Sequence, residues 1–221
     1  MKQKINRIFL LFIGLSWGYV GLFAQTTLLH PAEIYLGTTF GSNISLVNFK
    51  PYVEQKPQLG YVGGLTFRYV NENHFGLQIE ANYSQKGWKQ KDDKYVRQVN
   101  YLEIPFLSHF YLGNQNRLIF NIGPKVSFLL NEKVLKNEIV NPTLEHQTNK
   151  VYYPFGYGVE LGLGYNFKTR KVGVFQMELR GSYALSDIFS NDKKDYFDNS
   201  NYINFGLRIG WLFQLTGIKK D

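Results

Sequence analysis

Residues 75–84 read Phe-Gly-Leu-Gln-Ile-Glu-Ala-Asn-Tyr-Ser. Along an extended chain Phe75, Leu77, Ile79, Ala81 and Tyr83 fall on one face, and Gly76, Gln78, Glu80, Asn82 and Ser84 on the other. A two-residue period of this kind marks a β-strand with one oily and one polar side. The pattern recurs at 155–166, where Phe155, Tyr157, Val159, Leu161, Leu163 and Tyr165 alternate with Gly156, Gly158, Glu160, Gly162, Gly164 and Asn166. It recurs again at 203–213, with Ile203, Phe205, Leu207, Ile209, Trp211 and Phe213 against Asn204, Gly206, Arg208 and Gly210.

Working outward, segments 33–43, 59–70, 99–112, 117–129 and 173–186 follow the same rule with interruptions such as Val62. The eight predicted strands run to about 10 to 14 residues, longer than the five or six usual in soluble sheets and enough for a tilted bilayer crossing. Their connections alternate in length. Asn71-Glu72-Asn73-His74, Gly113-Asn114-Gln115-Asn116 and Lys168-Thr169-Arg170-Lys171 read as tight polar turns, whereas 44–58, 86–98, 130–152 and 187–200 are long. In an antiparallel meander this gives one plain rim and one elaborate rim, the asymmetry of an outer-membrane barrel. The expected fold is therefore all-β: an eight-stranded antiparallel up-and-down transmembrane β-barrel. No segment after residue 24 has 18 consecutive apolar residues, so helical spans are excluded.

The polar faces are rich in glycine and the apolar faces carry bulky Phe, Tyr, Leu, Ile and Trp. Such bulk cannot fit inside eight strands, so the oily side faces lipid. Arg68, Glu80, Glu103, Lys125, Glu160, Glu178, Arg180 and Arg208 then point inward. Buried charges are costly unless paired, so these four cations and four acids are expected to form a structural ion-pair network that fills the lumen. Tyr83, Trp88, Tyr111, Tyr152, Tyr153, Tyr165, Tyr183, Tyr202 and Trp211 lie near strand ends and are expected in interfacial girdles. Pro105 and Pro124 fall inside strands, where the missing N–H implies a bulge or a local break.

Before the barrel, Lys2, Lys4 and Arg7 precede an uncharged stretch from Ile8 to Ala24. The layout predicts a secretory signal peptide over 1–24, cut between Ala24 and Gln25. An amino-terminal segment 25–32, the barrel 33–215 and a tail 216–221 complete the expected organisation. The whole chain has 221 residues and a formal charge of +8, but the leader holds three cations and no acid, so 22 basic groups face 17 acidic ones after it. Charge therefore gives little support to nucleic-acid binding, and export gives less. The absence of cysteine excludes disulfides, thiolate metal sites and a cysteine nucleophile.

Three pieces carry a family resemblance: Tyr101-Leu102-Glu103-Ile104-Pro105-Phe106, Gly123-Pro124-Lys125-Val126-Ser127-Phe128-Leu129-Leu130, and Gly156 through Tyr165. From about residue 30 to 215 the chain resembles the Bacteroidetes outer-membrane β-barrel domain, the PorT-like or porin-family barrel. The resemblance implies an integral outer-membrane protein of the cell envelope, inserted by the barrel-assembly machinery. The family's namesake is similar to a component of gliding and type IX secretion. After Phe213 this chain continues Gln-Leu-Thr-Gly-Ile-Lys-Lys-Asp, where many outer-membrane barrels end on an aromatic residue.

Candidate chemistry is sparse. Ser108 and His109 are adjacent, so alternation sets them on opposite faces, and no catalytic residue is expected. His30, His74 and His146 lack metal-binding spacing, and neither a metal nor a cofactor is expected. The Gly-x-Gly series at 156–164 continues as strand, where a nucleotide fingerprint needs a following helix. Loop 86–98 carries Lys86, Lys89, Lys91, Lys94 and Arg97 with Asp92 and Asp93, a solvated loop or a contact for anionic lipopolysaccharide. The expected partners are outer-membrane lipid and lipopolysaccharide, with an envelope protein as a further one. The reading that follows is a non-enzymatic structural, adhesion or secretion-accessory barrel; the alternatives are a lipid A-modifying barrel enzyme and a soluble exported lipid-binding barrel.

Overall fold

The computed structural model of the chain describes residues 32–139, 148–169, 172–190 and 196–216. The expected leader, its cleavage pair Ala24 and Gln25, His30, His146 and the tail beyond Thr216 lie outside these residues. The strands are β1 (Glu33–Lys50), β2 (Gln55–Lys56), β3 (Gln58–Glu72), β4 (Phe75–Gln90), β5 (Tyr95–Leu112), β6 (Asn116–Asn137), β7 (Phe155–Thr169), β8 (Gly173–Ala184) and β9 (Asn199–Thr216). β2 is a two-residue ribbon against the end of β4. The other eight each pair antiparallel with the next in sequence, and β9 returns to β1 from Lys50↔Asn199 down to Ile34↔Thr216. Closure leaves no sheet edge along the bilayer-crossing part, the condition for placing strands in lipid.

The plain rim is built from tight turns. Asn73 and His74 alone join β3 to β4, with His74 at φ 71°, and Gly113 leaves β5 at φ 108°, a conformation that suits a residue without a Cβ. On the other rim the strands overrun the expected boundaries. Segment 86–98 is not a loop: β4 and β5 continue through it and turn only at 91–94, with Gly87↔Gln98 and Lys89↔Val96 in register. Likewise β1 reaches Lys50 and β6 reaches Asn137.

The reason is an inversion of polarity along the strands. At membrane level the outward side chains are apolar and the inward ones polar: Leu163 and Phe205 are each 60% exposed, while Glu160 and Arg208 are 1% and 4% exposed. Past that level inward positions become apolar, including Val47 and Phe49 on β1, Trp88 on β4 and Val99 on β5, while outward positions such as Gln85, Lys89 and Gln98 turn polar. A strand leaving lipid for water swaps the side that must be oily, so the pattern reads as ended where only its phase has changed.

The girdle expectation needs correction, whereas the prolines do give local breaks. Trp88 and Tyr202 are not girdle residues; both are buried inside the barrel, and Tyr111 is half-buried at the opposite end, whereas Tyr83, Tyr152, Tyr153, Tyr165, Tyr183 and Trp211 do face outward. The prolines give breaks and no bulge. The β4–β5 ladder skips from Ile79↔Phe106 to Asn82↔Glu103, and the β5–β6 ladder from Pro105↔Lys125 to Ser108↔Ile122, both keeping register. The bulges of the β5–β6 pair lie higher, at Val96/Arg97 and Asn100/Tyr101.

Candidate functional site: the layered lumen

Three layers fill the barrel among the described residues. Toward the plain rim Tyr35, Val70, Val174 and Leu212 pack together, with Tyr111 against them. Toward the long-loop rim a larger cluster brings Phe49, Trp88 and Tyr202 together with Ile188, Phe189 and Phe197 from the segment before β9. Phe49 lies 4.9 Å from Phe197 and 5.9 Å from Trp88, ring centre to ring centre. The Ser200 hydroxyl accepts hydrogen bonds from the Ile188 and Phe189 N–H groups at 3.1 and 3.0 Å, and Ser200 N–H donates to Asp187 at 2.6 Å. The segment is thereby tied back onto the strand it precedes.

Between these apolar layers sit the charges. Arg180 is the hub: its guanidinium meets Glu160 and Glu80 at 2.6 Å each and Glu178 at 2.7 Å. Arg208 joins Glu80 at 2.9 Å and Glu160 at 3.3 Å. Lys125 bridges Glu160 and Glu103, both at 3.1 Å. Among the described residues Arg68 pairs with no carboxylate; it donates to Gln78 at 2.7 Å and to Gln176, whose amides in turn donate to Glu80 and Glu178. All eight side chains named from the sequence therefore face one another inside the barrel, Arg68 through amide bridges.

Strand alternation explains the placement. Gln78, Glu80, Asn82, Ser84, Lys86 and Trp88 occupy every second position of β4 and all point inward. Lys86 is thus a buried member of the network, not a loop residue: it pairs with Glu103 and lies over the rings of Tyr101 and Tyr202 at 5.2 and 5.4 Å. Arg97 is buried too, held by Glu132 at 3.2 Å and by the carbonyls of Thr148 and Asn149. The sequence signal for both was parity: each continues the inward series of its strand.

What remains of the basic loop largely neutralises itself. Lys56 and Lys89 meet Asp93 at 3.0 and 3.2 Å, Lys91 meets Glu54 at 3.1 Å, and Lys94 meets Asp92 at 3.2 Å. The hydrogen bond from Lys56 holds the Asp93 carboxyl below its ordinary range. At the plain rim Glu33 gathers Arg117 at 3.1 Å and Lys168 at 3.7 Å.

His109 is fully buried, its Nδ1 2.6 Å from Asn121, whose amide donates to Glu178 at 2.6 Å. Ser108 lies on the other face of β5, so the two form no dyad. Among the described residues no group of three or more His, Asp or Glu side chains is placed to hold a metal ion.

A family model described as an outer membrane protein beta-barrel domain matches residues 23–190. No curated protein matches the chain. Among solved structures, the chain is similar to the outer membrane protein OprG from Pseudomonas aeruginosa, with a TM-score of 0.50 and 14% identity over 83% of this chain and 96% of that one. Neisserial surface protein A gives a TM-score of 0.46 at 11% identity, covering 81% and 97% of the two chains. The attachment invasion locus protein Ail of Yersinia pestis gives 0.40 at 13% identity, covering 83% and 99%.

Proposed function

We infer that this chain, which belongs to the outer membrane protein beta-barrel domain family and resides in the bacterial outer membrane, is a non-enzymatic structural, adhesion or secretion-accessory protein acting through its long-loop rim. The observation that carries this reading is the layered lumen. Cross-linked charges between two apolar layers suit a rigid stake holding an outward surface, and among the described residues Ser108 and His109 stand on opposite faces of β5. Among the described residues the elaborated features sit on one rim: the projecting β4–β5 hairpin, the upper part of β6 and the tied-back residues 185–190.

The finer assignments form part of the same proposal. The chain is of the Bacteroidetes PorT-like type, is exported by a signal peptide over 1–24, folds as a barrel from 33 to 215 through the barrel-assembly machinery, and contacts lipopolysaccharide and an envelope protein at the loop rim. Capture of partners from intact outer membranes tests the role. A tagged barrel is expected to retain an envelope protein that is lost when turn 91–94 and its flanking strand ends are replaced by a short hairpin. A changed lipid A acylation pattern on deletion would contradict the non-enzymatic reading.

A further inference from the structure

The projecting β4–β5–β6 sheet has two outer edges, and among the described residues only one is covered. On the β4 side the short strand β2 sets Gln55 against Gln90 and Lys56 against Lys89, and the Glu54 carbonyl accepts the Lys91 N–H at 3.2 Å. On the β6 side the ladder with β7 ends at Phe128↔Phe155, yet β6 stays paired with β5 up to Tyr95↔Asn137. Among the described residues the last main-chain bond on that side runs from the Leu129 N–H to Pro154 at 2.7 Å.

The chain before β7 does not follow this edge. It turns in over the barrel: Thr148 and Asn149 give their carbonyls to buried Arg97, Val151 packs against the aromatic cluster, and the Tyr152 and Tyr153 N–H groups donate to Ile188 at 2.9 and 3.3 Å. Every second residue of an antiparallel strand turns its N–H and C=O to the same side. Above Leu129, β6 therefore presents main-chain donors and acceptors that no described strand takes up.

Side chains give the second observation. Asn131 to Val134 pair in regular register with Asn100 to Arg97, between two bulges whose extra residues are Leu130 and Leu135. Lys133 and Lys136 stand on the outward face, opposite Gln98 and Val96, and Val134 stands on the other face, opposite Arg97. Lys136 holds Glu138 at 3.1 Å, Glu132 is taken by Arg97, and Lys133 enters no ion pair among the described residues. Val134 and Leu135 are 46% and 53% exposed, past the height where outward positions turn polar. An exposed edge that carries apolar side chains is a template for another strand.

The lysines select which strand. Two copies of this edge would set like charges side by side, which is unfavourable across strands, whereas carboxylates would be drawn in. The bulges twist the edge and keep its regular stretch short. We propose that β6 from Leu130 to Leu135 accepts a short extended segment of another protein as an added strand, with acidic side chains toward Lys133 and apolar ones toward Val134. The site deepens the loop-rim role proposed above and rests on it, naming the surface and the mode by which that rim holds a protein.

Equilibrium binding to the full barrel in a neutral detergent tests the site. The probes are a short capped peptide alternating valine with glutamate, its valine–lysine counterpart, and two forms of the first that are N-methylated on alternate residues in either frame. An added strand turns only every second N–H to the edge, so one methylated frame is expected to bind like the unmethylated peptide and the other about tenfold more weakly. The valine–lysine peptide is expected to bind about tenfold more weakly as well, and Lys133→Glu, at an exposed position, to keep the fold and weaken the glutamate peptide about fivefold. No saturable binding, equal binding of the two methylated frames, or binding unchanged by Lys133→Glu would overturn the proposal. A dimer of the barrel that the peptide disperses would assign the edge to a second copy and overturn it too. Failure of the peptide while intact outer membranes still yield an envelope protein would overturn the edge alone. Frame-dependent peptide binding with no envelope protein captured would support the edge and overturn the loop-rim role.

Discussion

The guanidinium of Arg180 on β8 reaches Glu80 on β4 across the barrel axis, Nη2 to Oε1 at 2.6 Å. In the ring these strands are diametrically opposed, separated by β3, β1 and β9 on one side and by β5, β6 and β7 on the other. The pair is therefore a cross-brace: it ties halves of the sheet that no ladder hydrogen bond connects directly. Removing one partner strands the other in a sealed layer. Arg180→Met is expected to cost about 3 to 5 kcal/mol, read as a lower urea midpoint for unfolding from lipid vesicles. An unchanged midpoint would show that the brace contributes nothing.

Gly162 makes room for that hub. A Cβ there would stand 1.9 Å from Glu178 Oε1 and 2.8 Å from Arg180 Nε, whereas at Gly181 the nearest atom would be Phe205 Cε1 at 3.6 Å. Gly162→Ala is expected to displace the Arg180–Glu178 pair and lower the unfolding midpoint, and Gly181→Ala to leave it unchanged. Equal effects at the two positions would refute the steric argument.

On the lipid face, Leu161 is 50% exposed and adjacent in sequence to buried Glu160. Leu161→Arg is expected to destabilise the folded barrel by about 2 to 4 kcal/mol if the residue lies near the bilayer midplane. Reversible unfolding in vesicles measures this, with Lys91→Ala as the comparison. Lys91 forms an exposed pair with Glu54, and its loss should matter by less than about 1 kcal/mol.

The aromatic layer can be loosened separately. Phe49 touches Trp88, Phe189 and Phe197. Phe49→Ala leaves a cavity among them and should free residues 185–190 for protease cleavage while the barrel keeps its heat-modifiable mobility on gels. Loss of that mobility would mean that the layer is required for the barrel itself.

Much of this architecture is legible in the alternation of residues 75–84, 155–166 and 203–213, because a lipid-facing strand shows its two-residue period without interruption. The same cue places the inward charges, since Glu80, Glu160 and Arg208 sit at odd spacings from apolar neighbours. It fails where the environment changes. Trp88 and Val99 keep their inward parity but are apolar, so strands that continue read as loops and Lys86 reads as a loop cation. Side-chain bridges such as Arg68 through Gln176 to Glu178 depend on which strands face each other across the ring, which local spacing does not encode.

The central claim is the orientation of the strands, and the chain's lack of cysteine makes it directly measurable. Single cysteines placed in turn from Phe205 to Phe213, spin-labelled in lipid vesicles, report how readily lipid-dissolved oxygen reaches each position. High accessibility is expected at 205, 207, 209, 211 and 213 and low accessibility at 206, 208, 210 and 212, a two-residue oscillation. Oscillation of the opposite phase, or none, would contradict the account.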